Sequence, residues 1–464
     1  MLAPTRLSHL QYLLGICALL STSQLAIAEI VTVTVPTTVG PLDQAINGVS
    51  LADAEITVVG TTLTINGRHE IRSLRLTHSV QGTPAVLTHS ANATHDYSGG
   101  AGTDTVYGLW LTVEENVIVD GPSGNNPACR IDVSSRGYGP ASGPGAGGTG
   151  AYQGGGGGHG GRGGRSHPNS NASGGLTYGY SPVPVTFGSG GGNDLNELPQ
   201  QFYGGSGGGC VRIDAAQIIR VNGLVLSNGG SIGIYNSESG GGAGGSILMS
   251  ASEILGDGFV QAEGGSAYFY PPPDYYEGGG GGGGKVALFA CNIQLPANHI
   301  AAPSGAGYEA GQSGYVGIST GPLILSTPAS DSVCSKGTAS FSVSAYGNGP
   351  VSYRWRHDGT PLEDELGHIA GAGTSMLVIT NARNSDTGLY DCVVTNPCNS
   401  EISIAATLSV CAADFDCDGF ITGLDYDLYV QAFEAGDMEA DFDGDGFITG
   451  VDFDLYVQAF EAGC

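Results

Sequence analysis

Beyond residue 28 the chain opens with short runs in which apolar and polar residues alternate: "EIVTVTV", "EITVVGTTLTI" and "IRSLRLT". A period of two carried by β-branched residues predicts strands. Further on, one theme returns three times between glycine tracts, as "GGCVRIDAAQIIRVNGLVLSNGGS", "GGSILMSASEILGDGFVQAEGGS" and "GGKVALFACNIQLPANHIAAPSG". Aligned, Ile213, Met249 and Leu288 share one apolar column, Ala215, Ala251 and Ala290 a second, and Ile218, Ile254 and Ile293 a third, at spacings of 36 and 39 residues. "CRIDVSSRGYG" at 129–139 reads as a degenerate earlier copy. Recurring apolar columns in β-prone segments predict a solenoid, each strand stacking on its equivalent in the next coil. The glycine tracts at 154–158, 204–209, 240–245 and 278–284 are expected to fill turns between strands or to act as flexible linkers. A bundle of glycine-rich polyproline helices would need a regular third-residue repeat, and none stands out.

From about residue 326 the strand-like runs draw closer together. "ASFSVSAY", "YRWRHDG", "SDTGLYDCVV" and "ISIAATLSV" surround Trp355 and predict a compact β-sandwich over 326–411. After residue 411 the period becomes helical: Leu424, Leu428, Ala432 and Phe433 form one apolar stripe, and Val451, Leu455, Ala459 and Phe460 another. The predicted fold class is mainly β: a glycine-rich parallel β-helix or solenoid over 29–325, the sandwich, and a small α domain over 412–464.

Composition narrows the partners. The net charge is −28, and residues 411–464 carry fourteen Asp or Glu and no Lys or Arg. Nucleic-acid binding needs a basic face, which this chain lacks; divalent cations suit the acidic end. Residues 1–28 read as an export signal, with Arg6, an apolar run at 10–20 that contains Cys17, and the cleavage pattern Ala26-Ile27-Ala28. No other stretch reaches the roughly 18 uninterrupted apolar residues of a transmembrane helix. The mature chain is therefore expected to be secreted or extracellular and associated with a cell surface. Nine cysteines follow the signal, six of them at 334, 392, 398, 411, 417 and 464. Such usage fits an oxidising compartment, and the odd total implies a free thiol or a link to another chain.

The acidic end is written twice: 414–436 and 441–463 agree at twenty of 23 positions, and each begins D-x-D-x-D-G-x-I-T-x-x-D. A twelve-residue loop presents oxygens to Ca²⁺ from positions 1, 3, 5, 7, 9 and 12. The first loop offers Asp414, Asp416, Asp418, the Phe420 carbonyl, Thr422 and Asp425; the second offers Asp441, Asp443, Asp445, the Phe447 carbonyl, Thr449 and Asp452. Gly419 and Gly446 take the sharp turn at position 6, and Ile421 and Ile448 at position 8 are expected to face inward and pair between loops. Two calcium sites are the expected cofactor complement.

A 27-residue repeat of an EF-hand-like calcium loop followed by one helix, with Asp at position 12, resembles a dockerin. The terminal Gly463-Cys464 resembles the Gly-Cys-ended dockerin-like domains of exported planctomycete-type bacterial proteins. The resemblance implies calcium-dependent folding and docking to a cohesin-like or other surface receptor, often in polysaccharide-degrading assemblies. Positions 10 and 11 depart from the family's usual hydroxyl pairs, being Gly423-Leu424 and Gly450-Val451. In a dockerin the chain ends lie together beside the first loop, which implies a Cys417–Cys464 disulfide clasp or, alternatively, surface attachment through Cys464.

Residues 326–411 resemble an immunoglobulin-like domain, with Trp355 as the buried strand tryptophan and Tyr390, two residues before Cys392, as the tyrosine corner. Val343 or Phe341 faces Cys392, so the usual inter-sheet disulfide is missing, and Cys334, Cys392, Cys398 and Cys411 allow three internal pairings. Residues 100–320 resemble the glycine-rich β-helix regions of bacterial surface proteins, which implies a scaffold or adhesin role without catalytic residues.

Catalysis in the glycine-rich region would need facing carboxylates or a base. Asp214, Glu253, Asp257 and Glu263 recur in no paired pattern, and Lys285 and Arg212 read as solvated turn residues. His159, Arg162, Arg165 and His167 suggest a cationic, solvated loop, and "YFYPPPDYY" offers Tyr268, Tyr270, Tyr275 and Tyr276 for stacking on sugars. The expected function is that of a secreted surface scaffold or adhesion protein with no catalytic residues. The alternative is a polysaccharide-binding protein, polysaccharide lyase or glycoside hydrolase on the same β-helix.

Overall fold

The computed structural model describes residues 28–92, 107–168, 171–179, 181–195, 203–233, 238–267, 269–270, 275–276 and 278–463. The export-signal residues 1–27, Tyr268, the side chains of Tyr270, Tyr275 and Tyr276, and Cys464 lie outside this description. No helix among the described residues is long and apolar enough to cross a membrane.

Two parallel sheets, one of eleven strands and one of seven, run through residues 29–319. A passage through the first sheet leads into one through the second: Ala54–Val59 then Thr62–Ile65, Cys210–Ala215 and Ile218–Val221 then Leu224–Leu226, Ser246–Leu255 then Phe259–Gln261. The stack is compatible with a parallel β-helix. One continuous apolar core, from Val31 to Ile300, fills the space between the sheets. Leu111, Ile213, Met249 and Leu288 lie in register, so the first expected column is a real ladder, and Ala251 pairs with Ala290 in the second.

The third column holds for Ile254 and Ile293, which pair, and is shifted only at its first member. Ile219, not Ile218, pairs with Ile254, and Ile219 is fully buried while Ile218 is half-exposed. Ala216 and Gln217 interrupt this passage, whereas Ser246–Leu255 is continuous. The interruption adds one residue, and one residue reverses the facing of a strand. The expected early copy at 129–139 is also misplaced. Arg130–Asp132 belongs to the second sheet, and the true predecessor of Cys210–Ala215 is Leu109–Val113.

The glycine tracts are neither turns nor linkers. They are buried, extended segments that hydrogen-bond to one another on all sides. Gly241 and Gly244 donate to Gly279 and Gly282; Gly240 and Ala243 donate to Gly192 and Ser189; Gly242 and Gly245 donate to Gly230 and Ser227. The tract at 279–284 repeats the pattern, with residues 279 and 282 donating to 154 and 157, and 281 and 284 to 265 and 262. Donors three apart serve the same neighbour, which is the period of a polyproline-type helix. Inside such a bundle most positions face another backbone, so they are Gly, with a small Ala243, Ser189 or Ser206 where space allows. A Cβ on Gly241 would overlap the Gly265 carbonyl, and one on Gly156 the Gly280 carbonyl.

Single ionisable groups are drawn into this packing. His159 is fully buried, its Nδ1 donating to the Gly244 carbonyl at 2.8 Å and its Nε2 accepting from Thr186 Oγ1 at 2.8 Å. Lys285 is buried beside it and donates to the Tyr178 carbonyl at 2.7 Å. The solvated loop and solvated lysine expected from the sequence are thus corrected; only Arg162 and Arg165 of that cluster are exposed.

The β domain that follows packs Trp355, Phe341, Tyr390 and Cys392 into its own core. Trp355 Nε1 donates to the Thr374 carbonyl at 2.9 Å, and the Tyr390 hydroxyl to the Asp386 carbonyl at 2.8 Å, the geometry of a tyrosine corner. Cys392 in that core and Cys129 in the core of the parallel sheets are buried and form no disulfide. None of the three expected internal pairings forms. Instead Cys398 bonds Cys291 of the parallel-sheet region, and Cys334 bonds Cys417 of the acidic repeat. The expected Cys417–Cys464 clasp is therefore replaced. Strand Asp331–Cys334 pairs with Ala406–Cys411, which leads directly to residue 417, and the Cα atoms of Cys334 and Cys417 lie 5.4 Å apart, within disulfide reach. Cys411 is disulfide-bonded as well.

Candidate metal centre

Each acidic repeat folds as a loop and a helix, α1 (Gly423–Ala435) and α2 (Gly450–Ala462). Thr422 and Thr449 cap them. Their hydroxyls accept from Leu424 N at 3.2 Å and Val451 N at 3.1 Å, while Asp425 and Asp452 reach back to the threonine amides at 2.7 Å. This capping box places loop positions 9 and 12 at a helix start. Gly436, at φ 67°, ends α1.

The apolar stripes differ from expectation. Leu424 and Val451 are 55% and 56% exposed, and the core is aromatic. Tyr429 and Tyr456 are fully buried and stacked face to face at 3.7 Å, ringed by Phe415, Tyr426, Phe433, Phe442, Phe453 and Phe460. Tyr426, Tyr429 and Phe433 fall at i, i+3 and i+7, and their rings bury more area than the leucines would. The two tyrosines also link the repeats crosswise. The Tyr429 hydroxyl donates to the Ala440 carbonyl before the second loop, and the Tyr456 hydroxyl to the Ala413 carbonyl before the first. Ile448 joins this core, and Ile421 is half-buried.

Within the first loop, carboxylate oxygens of Asp414, Asp416 and Asp418 lie within 4.8 Å of one another; in the second, those of Asp441, Asp443 and Asp452 do. Asp425 closes its loop from behind, accepting from Phe415 N at 2.9 Å, Asp416 N at 3.2 Å and Thr422 N. Asp452 does the same with Phe442, Asp443 and Thr449. Burial alone would raise these two carboxyls, yet the backbone bonds outweigh it and hold both below the usual range. Asp416 is pushed up, by desolvation and then by repulsion from Asp418, Asp425 and Asp414. Asp445 accepts from Phe447 N at 2.8 Å, and Asp418 from Phe420 N at 2.8 Å, while both phenyl rings point to solvent. Crowded carboxylates and a threonine hydroxyl form an all-oxygen donor set, which fits a hard dication and not a soft metal.

The other candidate residues do not assemble. Asp214 is held by Arg212 at 2.6 Å and by the Tyr346 hydroxyl at 2.6 Å, and the Arg212 guanidinium lies over the Trp110 and Tyr346 rings, so Arg212 is no solvated turn residue. Glu253 accepts from Asn292 in the first sheet, and Glu263 from Gln261 beside the second. The sequence reading missed the crosswise tyrosine bonds, whose signal was the Tyr retained at one position in both copies.

A family model of the immunoglobulin domain matches residues 322–396. No match was found among curated proteins. Among solved structures, titin domain M4 is 26% identical, covering 19% of this chain and 95% of that one, with a TM-score of 0.18. Titin domain M7 is 28% identical over 19% of this chain and 92% of that one, also at 0.18. Extracellular domains 3–5 of Drosophila OTK are 19% identical over 22% and 35%, at 0.19. On the family model, residues 322–396 form an immunoglobulin-like domain.

Proposed function

We propose that this is a secreted cell-surface or extracellular scaffold or adhesion protein, anchored through a calcium-dependent dockerin-like domain at 412–464. The supporting observation is the duplicated loop and helix, in which six oxygen-bearing positions recur at ligand spacing with matching caps and matching tyrosine bonds. Asp414, Asp416, Asp418, Thr422 and Asp425 would hold one Ca²⁺, and Asp441, Asp443, Asp445, Thr449 and Asp452 the other, with the Phe420 and Phe447 carbonyls. The bound ions would neutralise crowded carboxylates and fix the helices for a cohesin-like or other receptor. The parallel-sheet region and the immunoglobulin-like domain, joined by the Cys291–Cys398 bond, would present the adhesive surface. Washing producing cells with a calcium chelator tests the anchor. Release of the chain, reversed by added calcium, is expected; retention unaffected by chelation contradicts it.

A polysaccharide-binding reading draws on a groove of about 650 Å³ between the first sheet and the immunoglobulin-like domain, lined by Thr112, Glu114, Asp214, Ser250, Tyr346 and Asn348. Retardation in gels containing polysaccharide supports it, and release of reducing or unsaturated ends would make the chain an enzyme.

A further inference from the structure

The two loops agree in length and ligand types and differ at position 4. The second loop has Gly444 there, at φ 74°, and the first has Cys417, at φ 61°. A left-handed backbone is open to glycine and unfavourable for cysteine. Cys417 is held in it by the bond to Cys334, which closes strand Asp331–Cys334 of the immunoglobulin-like domain. Lys336, two residues further on, pairs with Glu439 at 2.9 Å, so the same turn grips the repeat at a second point. In this tethered loop the carboxylates at positions 1, 3 and 5 are gathered, and Asp414 is 5% exposed. In the untethered loop the gathered set is positions 1, 3 and 12, and Asp441 is half-buried.

We infer that Cys334, a residue of the neighbouring domain, is a positioning residue for the first cation loop: its bond to Cys417 fixes position 4 in the left-handed conformation that the second loop reaches with glycine. The inference rests on the calcium reading above. The bond sets the turn before an ion arrives, so binding does not have to force a cysteine into an unfavourable backbone. It also ties ion uptake to the domain junction, because ordering of the first loop is felt at Cys334 through the bond.

Calorimetric calcium titration of the exported chain (residues 29–464) tests this in an Asp443→Ala background, which silences the second loop. Cys334→Ser should weaken the remaining site by about tenfold, the cost of placing an unbonded cysteine in the left-handed region. Adding Cys417→Gly to that variant should restore most of the affinity, because glycine needs no bond there. This double variant also covers the case in which Cys334→Ser alone fails to fold. Hydrogen exchange at residues 334–336 should slow on calcium addition in the bonded chain and not in the double variant. Unchanged affinity in Cys334→Ser, or no recovery with Cys417→Gly, overturns the inference while leaving calcium binding intact. Absence of calcium uptake by the unsubstituted chain overturns both.

Discussion

The glycine bundle and the terminal repeat are both poor in buried aliphatic side chains, and they achieve order by opposite means. In the bundle, backbone meets backbone. Gly240–Gly245 and Gly279–Gly284 bond to neighbours in three directions, so backbone bonds carry most of the order. The terminal repeat is about fifty residues long and centres on one stacked tyrosine pair. A unit this small buries too little surface to be robust alone. It relies on the bond to Cys334 and the crosswise tyrosine bonds, and its crowded carboxylates repel one another. On the proposed calcium reading, order is intrinsic in one region and conditional in the other.

The sharpest way to break this contrast is to add one methyl group in each region. Gly241→Ala, whose Cβ would overlap the Gly265 carbonyl, should cost about 3 kcal/mol or more in thermal unfolding of the parallel-sheet region. Loss of a position-12 acid comes next. Asp425→Ala strips acceptors from the amides of Phe415, Asp416 and Thr422 and should cost the repeat about 2–3 kcal/mol, seen as loss of helix by circular dichroism. Acid should also separate the regions. Burial lowers His89 to about 4 and His159 to about 3, so below pH 6.5 the unfolded chain takes up protons that the folded one does not. Stability of the parallel-sheet region should then fall with pH from 6.5 toward 4, by up to about 1.4 kcal/mol per pH unit for each histidine, and level off near pH 7. Melting temperatures across that range measure it. The smallest effect is the control methyl: Gly423→Ala opens α1 and meets nothing within 4 Å, so it should be neutral or stabilise by at most about 1 kcal/mol.

Legibility in the sequence followed the same division. The ladder of Ile213, Met249 and Leu288 could be read because a parallel stack repeats its columns. Ile218 was misread because the interruption at Ala216-Gln217 shifts facing without disturbing composition. The bundle could be named but not recognised for a physical reason: an interior segment needs glycine at nearly every position, which erases its own period. The period survives at the rim, in "GGRGGRS", where Arg162 and Arg165 are exposed between buried neighbours. Trp355 and Tyr390 declared their domain through spacing, and the paired T-x-x-D sequences their helix caps. Cys417 was legible as the odd residue of its repeat. Its partner was not, because position 334 approaches it only through strand pairing in another domain.

The most direct test of the account is calcium titration of residues 29–464, followed jointly by calorimetry and amide hydrogen exchange. The account predicts two ions taken up, with protection rising across 414–462 and unchanged across the glycine bundle. No heat of binding, or protection that rises equally in both regions, would contradict it.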